Sequence, residues 1–196
     1  MVIAVTNRKL CQDDFIARIR ELLDADPFEV ILREKDLTDE EYRSLAEKII
    51  SGHEEYKNIL SLNRPETASE LGIKNVHLTM GRITQSGRPD IERVGVSVHS
   101  SDEAKTAEKL GADYLIAGHI FATDCKKGIP PRGLDFFREV CNSVSIPVFA
   151  IGGICQENFK QPLECGGAGV CLMSEFMKCD RPFERIKIYM KFSCFV

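Results

Sequence analysis

Short apolar runs rich in β-branched residues alternate along this chain with longer stretches whose apolar residues recur at helical spacing. The runs at residues 2–6, 28–33, 58–62, 75–79, 93–99, 113–119, 148–151 and 169–173 predict eight strands. Between them, residues 13–23 place Phe15, Ile16, Ile19, Leu22 and Leu23 on one helical face. Thr38, followed by Asp39, Glu40 and Glu41, offers an N-cap and an acidic first turn ahead of Tyr42, Leu45, Ala46, Ile49 and Ile50. Ser101 opens a helix that ends at Leu110 and Gly111, and residues 133–144, 156–165 and 182–192 predict three more. After the fourth strand the pattern breaks, and residues 81–89 read as loop.

Eight strands separated by helices suit a closed (β/α)8 barrel, here as a single α/β TIM-barrel domain over residues 1–196. The competing arrangement is an open doubly wound sheet. The absence of a G-x-G-x-x-G turn after the first strand weakens it. At 196 residues the barrel would be a trimmed one with short loops, since about 250 is typical.

Composition narrows the setting. A hydrophobic fraction of 43% and a charged fraction of 29% are those of a soluble globule. No apolar run approaches the ~20 residues of a membrane span, and the first residues read as a strand rather than a signal peptide. A net charge of −4 argues against nucleic acid and anionic membranes as partners. Eight cysteines without a C-x-x-C pair point to a reducing, cytoplasmic location, most of them serving as small buried hydrophobes. Cys125 is the exception, in a polar loop beside two lysines.

In such a barrel the site lies where the strands end. Those ends read Asn7-Arg8, Arg33-Glu34-Lys35, Asn63-Arg64, Thr79, Ser97 to His99, His119, Gly152-Gly153 and Met173-Ser174. Residues two apart on a strand share a face, so Arg33 pairs with Lys35 and Ser97 with His99. With the adjoining loops, seven basic residues (8, 33, 35, 64, 82, 126, 127) meet two acidic ones (34, 124). A positive rim on an acidic protein implies a small anionic ligand, some of the charges being merely solvated. Gly152, Gly153, Met173 and Ser174 occupy the last two turns, where barrels commonly hold phosphate on bare N–H groups and a short helix that Ser174 would cap. The loop at 120–132, with Thr123 and Lys126, reads as a cover over the mouth. Of the four histidines, His53 reads as surface, His77 as structural, and His99 and His119 stand at the phosphate side of the mouth.

Leu32-Arg-Glu-Lys, Val96-Ser-Val-His-Ser, Gly111-Ala-Asp-Tyr, Ile146-Pro-Val-Phe-Ala-Ile-Gly-Gly-Ile and Ala168-Gly-Val-Cys-Leu-Met-Ser resemble the thiamine-phosphate-synthase-like barrels. That superfamily holds the synthase, which joins a pyrimidine diphosphate to a thiazole phosphate with magnesium, and the thiazole tautomerases of the TenI type. Gly118-His-Ile-Phe-Ala-Thr-Asp-Cys-Lys-Lys-Gly is similar to the tautomerase version. Departures from the synthase pattern run one way: Ile31 replaces a Gln, Asn63-Arg64 replaces Asn-Asp, and Thr79-Met-Gly-Arg82 stands where the synthase has an acidic metal ligand. Hard cations need carboxylate oxygens, so magnesium-dependent chemistry is not expected.

The resemblance therefore implies an isomerase in thiamine biosynthesis that turns a carboxythiazole phosphate into its aromatic tautomer without metal or cofactor. His119 would shuttle the proton. Gly152, Gly153, Met173 and Ser174 would hold phosphate, and Arg33, Lys35 or Lys126 the carboxylate. Asn63, Ser97, His99 and Thr123 would complete the pocket. The alternatives are the magnesium-dependent synthase and a non-catalytic sensor of thiazole phosphate. The resemblance also implies a homodimer.

Overall fold

The computed structural model describes residues 1–192. Eight parallel strands close into one barrel in chain order: β1 (Val2–Val5), β2 (Glu29–Leu32), β3 (Leu60–Leu62), β4 (Asn75–Thr79), β5 (Arg93–Val98), β6 (Tyr114–Gly118), β7 (Val148–Ile151) and β8 (Gly169–Leu172), with β8 pairing back onto β1. The closed form of the expectation holds, and the open sheet is excluded.

Helices follow the strands: α1 (Phe15–Asp24), α2 (Asp39–Ile50), α3 (Pro65–Leu71), α4 (Met80–Ser86), α5 (Ser101–Lys109), α6 (Gly133–Ser143), α7 (Lys160–Glu164), α8 (Ser174–Lys178) and α9 (Pro182–Phe192). Their starts are set by short polar side chains. Asp14, Thr38 and Ser100 each accept a hydrogen bond from the first turn of α1, α2 and α5, and Thr38 forms a full capping box with Glu41.

Two apolar layers result. Outward-facing strand residues such as Val30, Leu32, Val94 and Val96 pack against the helices. Ile3, Val5, Ile31, Tyr114, Ile116, Phe149 and Cys171 fill the barrel interior. On β2 the alternation is regular: Val30 and Leu32 face the helices, while Glu29 and Ile31 face inward. Arg33 and Lys35 continue the inward row beyond the strand, into the mouth.

The structure corrects several expectations. Residues 80–86 form α4 where the sequence reads as loop. The helix buries only Ile83, too narrow an apolar face to register as periodicity, and the Thr79 hydroxyl caps it by accepting from the Arg82 N–H. In the stretch 156–165 only Lys160–Glu164 is helical. Met173 is the N-cap of α8, so Ser174 is its first helical residue rather than its cap. Of the seven cysteines described, only Cys165 and Cys171 are buried. Cys11, Cys141, Cys155 and Cys179 are half-buried, and Cys125 is exposed. Cys11 and Cys179 are the C-caps of their helical turns. Cys194 lies outside the described residues. Among the described residues no helix is long and apolar enough to cross a membrane.

Candidate functional site

A cavity of about 410 Å³ opens at the C-terminal ends of the strands. Arg33, Lys35, Asn63, Ser97, His99, His119, Thr123, Lys126, Gly152, Gly153, Met173 and Ser174 all line it. The sequence therefore named residues from six separate stretches that the fold brings to one place. It missed the apolar wall, Val5, Ile31, Ile116 and Ile151, and the contributions of His77 and Cys125. The wall was legible in principle, because each of these residues lies on the inward side of its strand.

The β2 end shows how the local sequence sets charge. Glu34 is buried. Its carboxylate accepts from the Thr6 hydroxyl at 2.7 Å and from the Arg8 backbone N–H at 3.1 Å. The Thr6 oxygen in turn accepts from the Arg33 N–H at 3.0 Å. With Glu34 pinned outward, alternation turns exposed Arg33 and Lys35 into the cavity. The charge of Arg33, then partial burial, then Lys126 on the opposite loop hold the Lys35 ammonium below its ordinary value.

The rim of seven cations resolves into two classes. Arg8 is engaged by Glu34 and Asp36, Arg64 by Asp39, and Arg82 by Glu66. Lys127 stands 3.9 Å from Asp124. Among the described residues Arg33, Lys35 and Lys126 have no acidic partner, and these three converge on the cavity. The expectation of a broadly positive rim narrows to them.

His119 is fixed from several directions. Its ring Nε2 lies 3.3 Å from the Ile129 carbonyl. A carbonyl only accepts, so Nε2 carries the hydrogen and the Nδ1 lone pair is left free in the neutral ring. The His119 carbonyl accepts from Arg132 N–H at 3.0 Å, so both ends of the 120–132 loop are tied to this residue. That loop lays Thr123, Cys125 and Lys126 against the cavity, and the Thr123 hydroxyl caps its 3-10 turn, Asp124–Lys126. His99 is fixed in a similar way, with Nδ1 3.1 Å from the Gly118 carbonyl and Nε2 as its free lone pair.

Gly152 and Gly153 have a role that precedes any ligand. At φ 99° a Cβ on Gly152 would stand 2.3 Å from the His119 Cβ, and one on Gly153 would stand 2.4 Å from the Ala122 carbonyl oxygen. Glycine here lets the β6 loop close onto β7, and it leaves backbone facing the cavity. His77 keeps its structural reading. It is buried, its ring is held by Ser97 and Tyr114, and burial followed by the charge of Arg33 pushes its pKa down to about 3. His53 stacks on Tyr56 away from the cavity and is partly exposed, as expected.

Magnesium does not fit this donor set. No carboxylate lines the cavity, and no group of three or more His, Cys, Asp or Glu is placed to hold a metal among the described residues. Thr79 and Arg82 are committed to capping α4 and to Glu66.

A family model described as thiamine monophosphate synthase matches residues 2–176. The chain belongs to that family. Among its relatives, a putative thiamine-phosphate synthase 2 of Aquifex aeolicus is 35% identical over 183 residues, covering 89% of this chain and 96% of the relative. A thiamine-phosphate synthase of Pyrococcus abyssi is 33% identical over 178 residues, covering 88% and 84%. Among solved structures, a thiamine phosphate pyrophosphorylase from Pyrococcus furiosus superposes with a TM-score of 0.82 at 28% identity, covering 98% of this chain and 94% of that one. These likenesses place the chain in the family and do not separate a tautomerase from a synthase.

Proposed function

We propose that this member of the thiamine monophosphate synthase family is a thiazole tautomerase of thiamine biosynthesis, moving one proton within a carboxythiazole phosphate. The observation that carries the reading is a single cavity in which, among the described residues, Arg33, Lys35 and Lys126 have no acidic partner, His119 has a free ring lone pair, and no carboxylate lines the wall.

The chemistry follows from those groups. The substrate has two anionic ends. The Gly152-Gly153 turn and the Met173-Ser174 start of α8 are suited to the phosphate, through backbone N–H groups. The three cations are suited to the ring carboxylate, and their charge stabilises the electron-rich intermediate left when the adjacent ring C–H is broken. His119 Nδ1 takes that proton and returns it to the exocyclic carbon. The exocyclic double bond becomes a single bond and the ring becomes aromatic. No atom is gained or lost. An imidazole suits both halves because its ordinary pKa lies near neutrality. His99, Asn63, Ser97 and Thr123 complete the walls.

The names of the relatives favour a second reading, the synthase that joins a pyrimidine diphosphate to a thiazole phosphate with magnesium. The lack of cavity carboxylates weighs against it. Ultraviolet absorbance of protein mixed with the non-aromatic carboxythiazole phosphate in EDTA separates the two. Rapid aromatisation is expected. Turnover seen only with magnesium, pyrimidine diphosphate and thiazole phosphate would establish the transferase instead, and ligand binding with neither reaction would point to a sensor.

A further inference from the structure

Beneath the cavity floor a run of hydrogen bonds descends the barrel interior. Ser97 lines the cavity, and its Oγ lies 2.8 Å from His77 Nε2. His77 Nδ1 lies 3.1 Å from the Tyr114 hydroxyl, which lies 2.8 Å from Glu29 Oε1. His77, Tyr114 and Glu29 are buried, and they come from β4, β6 and β2. Tyr114 fits a notch at Gly95, where a Cβ would stand 2.1 Å from the ring Cζ. Glu29 is incompletely satisfied. Its Oε2 makes no hydrogen bond of full geometry among the described residues; the Ser61 hydroxyl stands beside the carboxyl and favours its charged form.

The donors and acceptors in this run have two concerted orders, set by whether Glu29 Oε1 carries a hydrogen. When Glu29 is ionised it can only accept, so Tyr114 donates to it. The Tyr114 oxygen then receives the His77 Nδ1 hydrogen, and bare Nε2 receives the Ser97 hydroxyl hydrogen. Ser97 shows the cavity only lone pairs. When Glu29 is protonated on Oε1 the order reverses: Glu29 donates to Tyr114, Tyr114 to Nδ1, and His77 now carries its hydrogen on Nε2 and donates it to Ser97. The Ser97 O–H is then free to point at a ligand.

We propose that Ser97, His77, Tyr114 and Glu29 form a proton relay in which Glu29 stores a proton taken up at the cavity and thereby sets whether Ser97 donates to or accepts from the ligand. The balance is simple. One proton arrives at the Ser97 oxygen, each member passes its own hydrogen onward, and one proton ends on Glu29. His77 exchanges an Nδ1 hydrogen for an Nε2 hydrogen and stays neutral. Glu29, Tyr114 and His77 are positioning residues that act through Ser97.

The surroundings place the switch near neutrality. Burial pushes the Glu29 carboxyl up to about 7, opposed by Ser61, by Tyr114 and by the charge of Arg93. Cys171 also faces Glu29 from β8, and burial keeps it a neutral thiol. His77 faces Arg33 from β2, which with burial keeps the imidazole uncharged. Only the use of the cavity as a ligand site is shared with the proposed function. The relay itself can be tested with no ligand present.

The test is 15N NMR of the His77 ring in ligand-free protein between about pH 5 and 9, the range in which an ordinary imidazole titrates. The expected result is a ring that stays neutral and passes from the Nε2–H to the Nδ1–H form as pH rises, with a midpoint near 7. In Tyr114→Phe and in the isosteric Glu29→Gln the tautomer should no longer follow pH. A single wild-type tautomer across the range, a ring that becomes charged, or a shift that survives in either variant overturns the relay. Each outcome is independent of the absorbance assay, so the relay and the isomerase reading can fail separately.

Discussion

The two sides of the barrel mouth carry the same charge and use it differently. On the β3–β4 side, Arg64 reaches Asp39 at 2.7 Å and the Leu37 and Thr38 carbonyls at 2.6 and 2.8 Å, and it stacks over the Tyr42 ring at 4.2 Å. Arg82 is bound to Glu66. These arginines fasten β3 to α2 and α4 to α3. On the side formed by the β2 end and the 120–132 loop, Arg33, Lys35 and Lys126 face the cavity with no acidic partner among the described residues. A guanidinium whose donors are already taken offers an anion little, whereas an unpaired cation at a partly enclosed mouth offers a charge-assisted hydrogen bond. Partners, not charge counts, separate the cations available to a ligand from those that hold the fold together.

The largest expected effect tests the scaffold beneath His119. Gly152→Ala places a Cβ where φ is 99° and the His119 Cβ would be 2.3 Å away. Denaturant unfolding should show a loss of ~3 kcal/mol, from strain and overpacking together. A variant as stable as the wild type would mean that the glycine is not what lets His119 approach.

The next effect concerns the buried acid below the rim, Glu29. A solvated rim tolerates bare charge, whereas burial drives a carboxylate toward its neutral form. The folded-state pKa of Glu29 is raised from 4.5 to about 7. Its contribution to stability is therefore fully present below pH 4.5 and is lost as pH rises through about 7. Glu29→Gln escapes that loss. In denaturant melts its advantage over wild type should be near zero at the acid end of this window and grow to ~3 kcal/mol by about pH 8. An advantage that shrinks with rising pH would contradict the burial of this group.

Across the mouth itself, Lys35→Ala and Arg33→Ala should each raise KM for the carboxythiazole phosphate ~10- to 100-fold, the worth of one hydrogen bond to a charged group. Arg64→Ala should leave KM within about twofold, because its donors already serve the α2 start. Equal shifts on the two sides would erase the distinction. The smallest effect is on stability: Arg82→Ala removes an exposed pair and should cost under ~1 kcal/mol in the same melts.

Much of this was legible in the sequence, for identifiable reasons. β-branched runs marked all eight strands, because a buried parallel strand is apolar on both faces. Strand ends marked the site, because a barrel gathers them at one rim. Helix α4 was not legible as periodicity, although the Thr79 cap before Arg82 was a usable signal. The pairing of the arginines was not legible either, because their acids lie far off in the chain: Asp39 is 25 residues from Arg64 and Glu66 is 16 from Arg82. Glu29 carries a signal of its own, a lone acid two residues before Ile31 on an otherwise apolar strand. Which ring nitrogen of His119 is free depends on the Ile129 carbonyl, ten residues away, and only the fold supplies that contact.

The central claim is that His119 relocates the proton without a metal. The measurement that meets it most directly compares wild type with His119→Asn on the non-aromatic carboxythiazole phosphate, in EDTA, by the rise of aromatic absorbance. Asparagine keeps a hydrogen-bonding side chain but cannot take up a proton, so the rate should fall ~10²-fold or more while the protein remains folded. Equal rates for the two proteins would contradict the account.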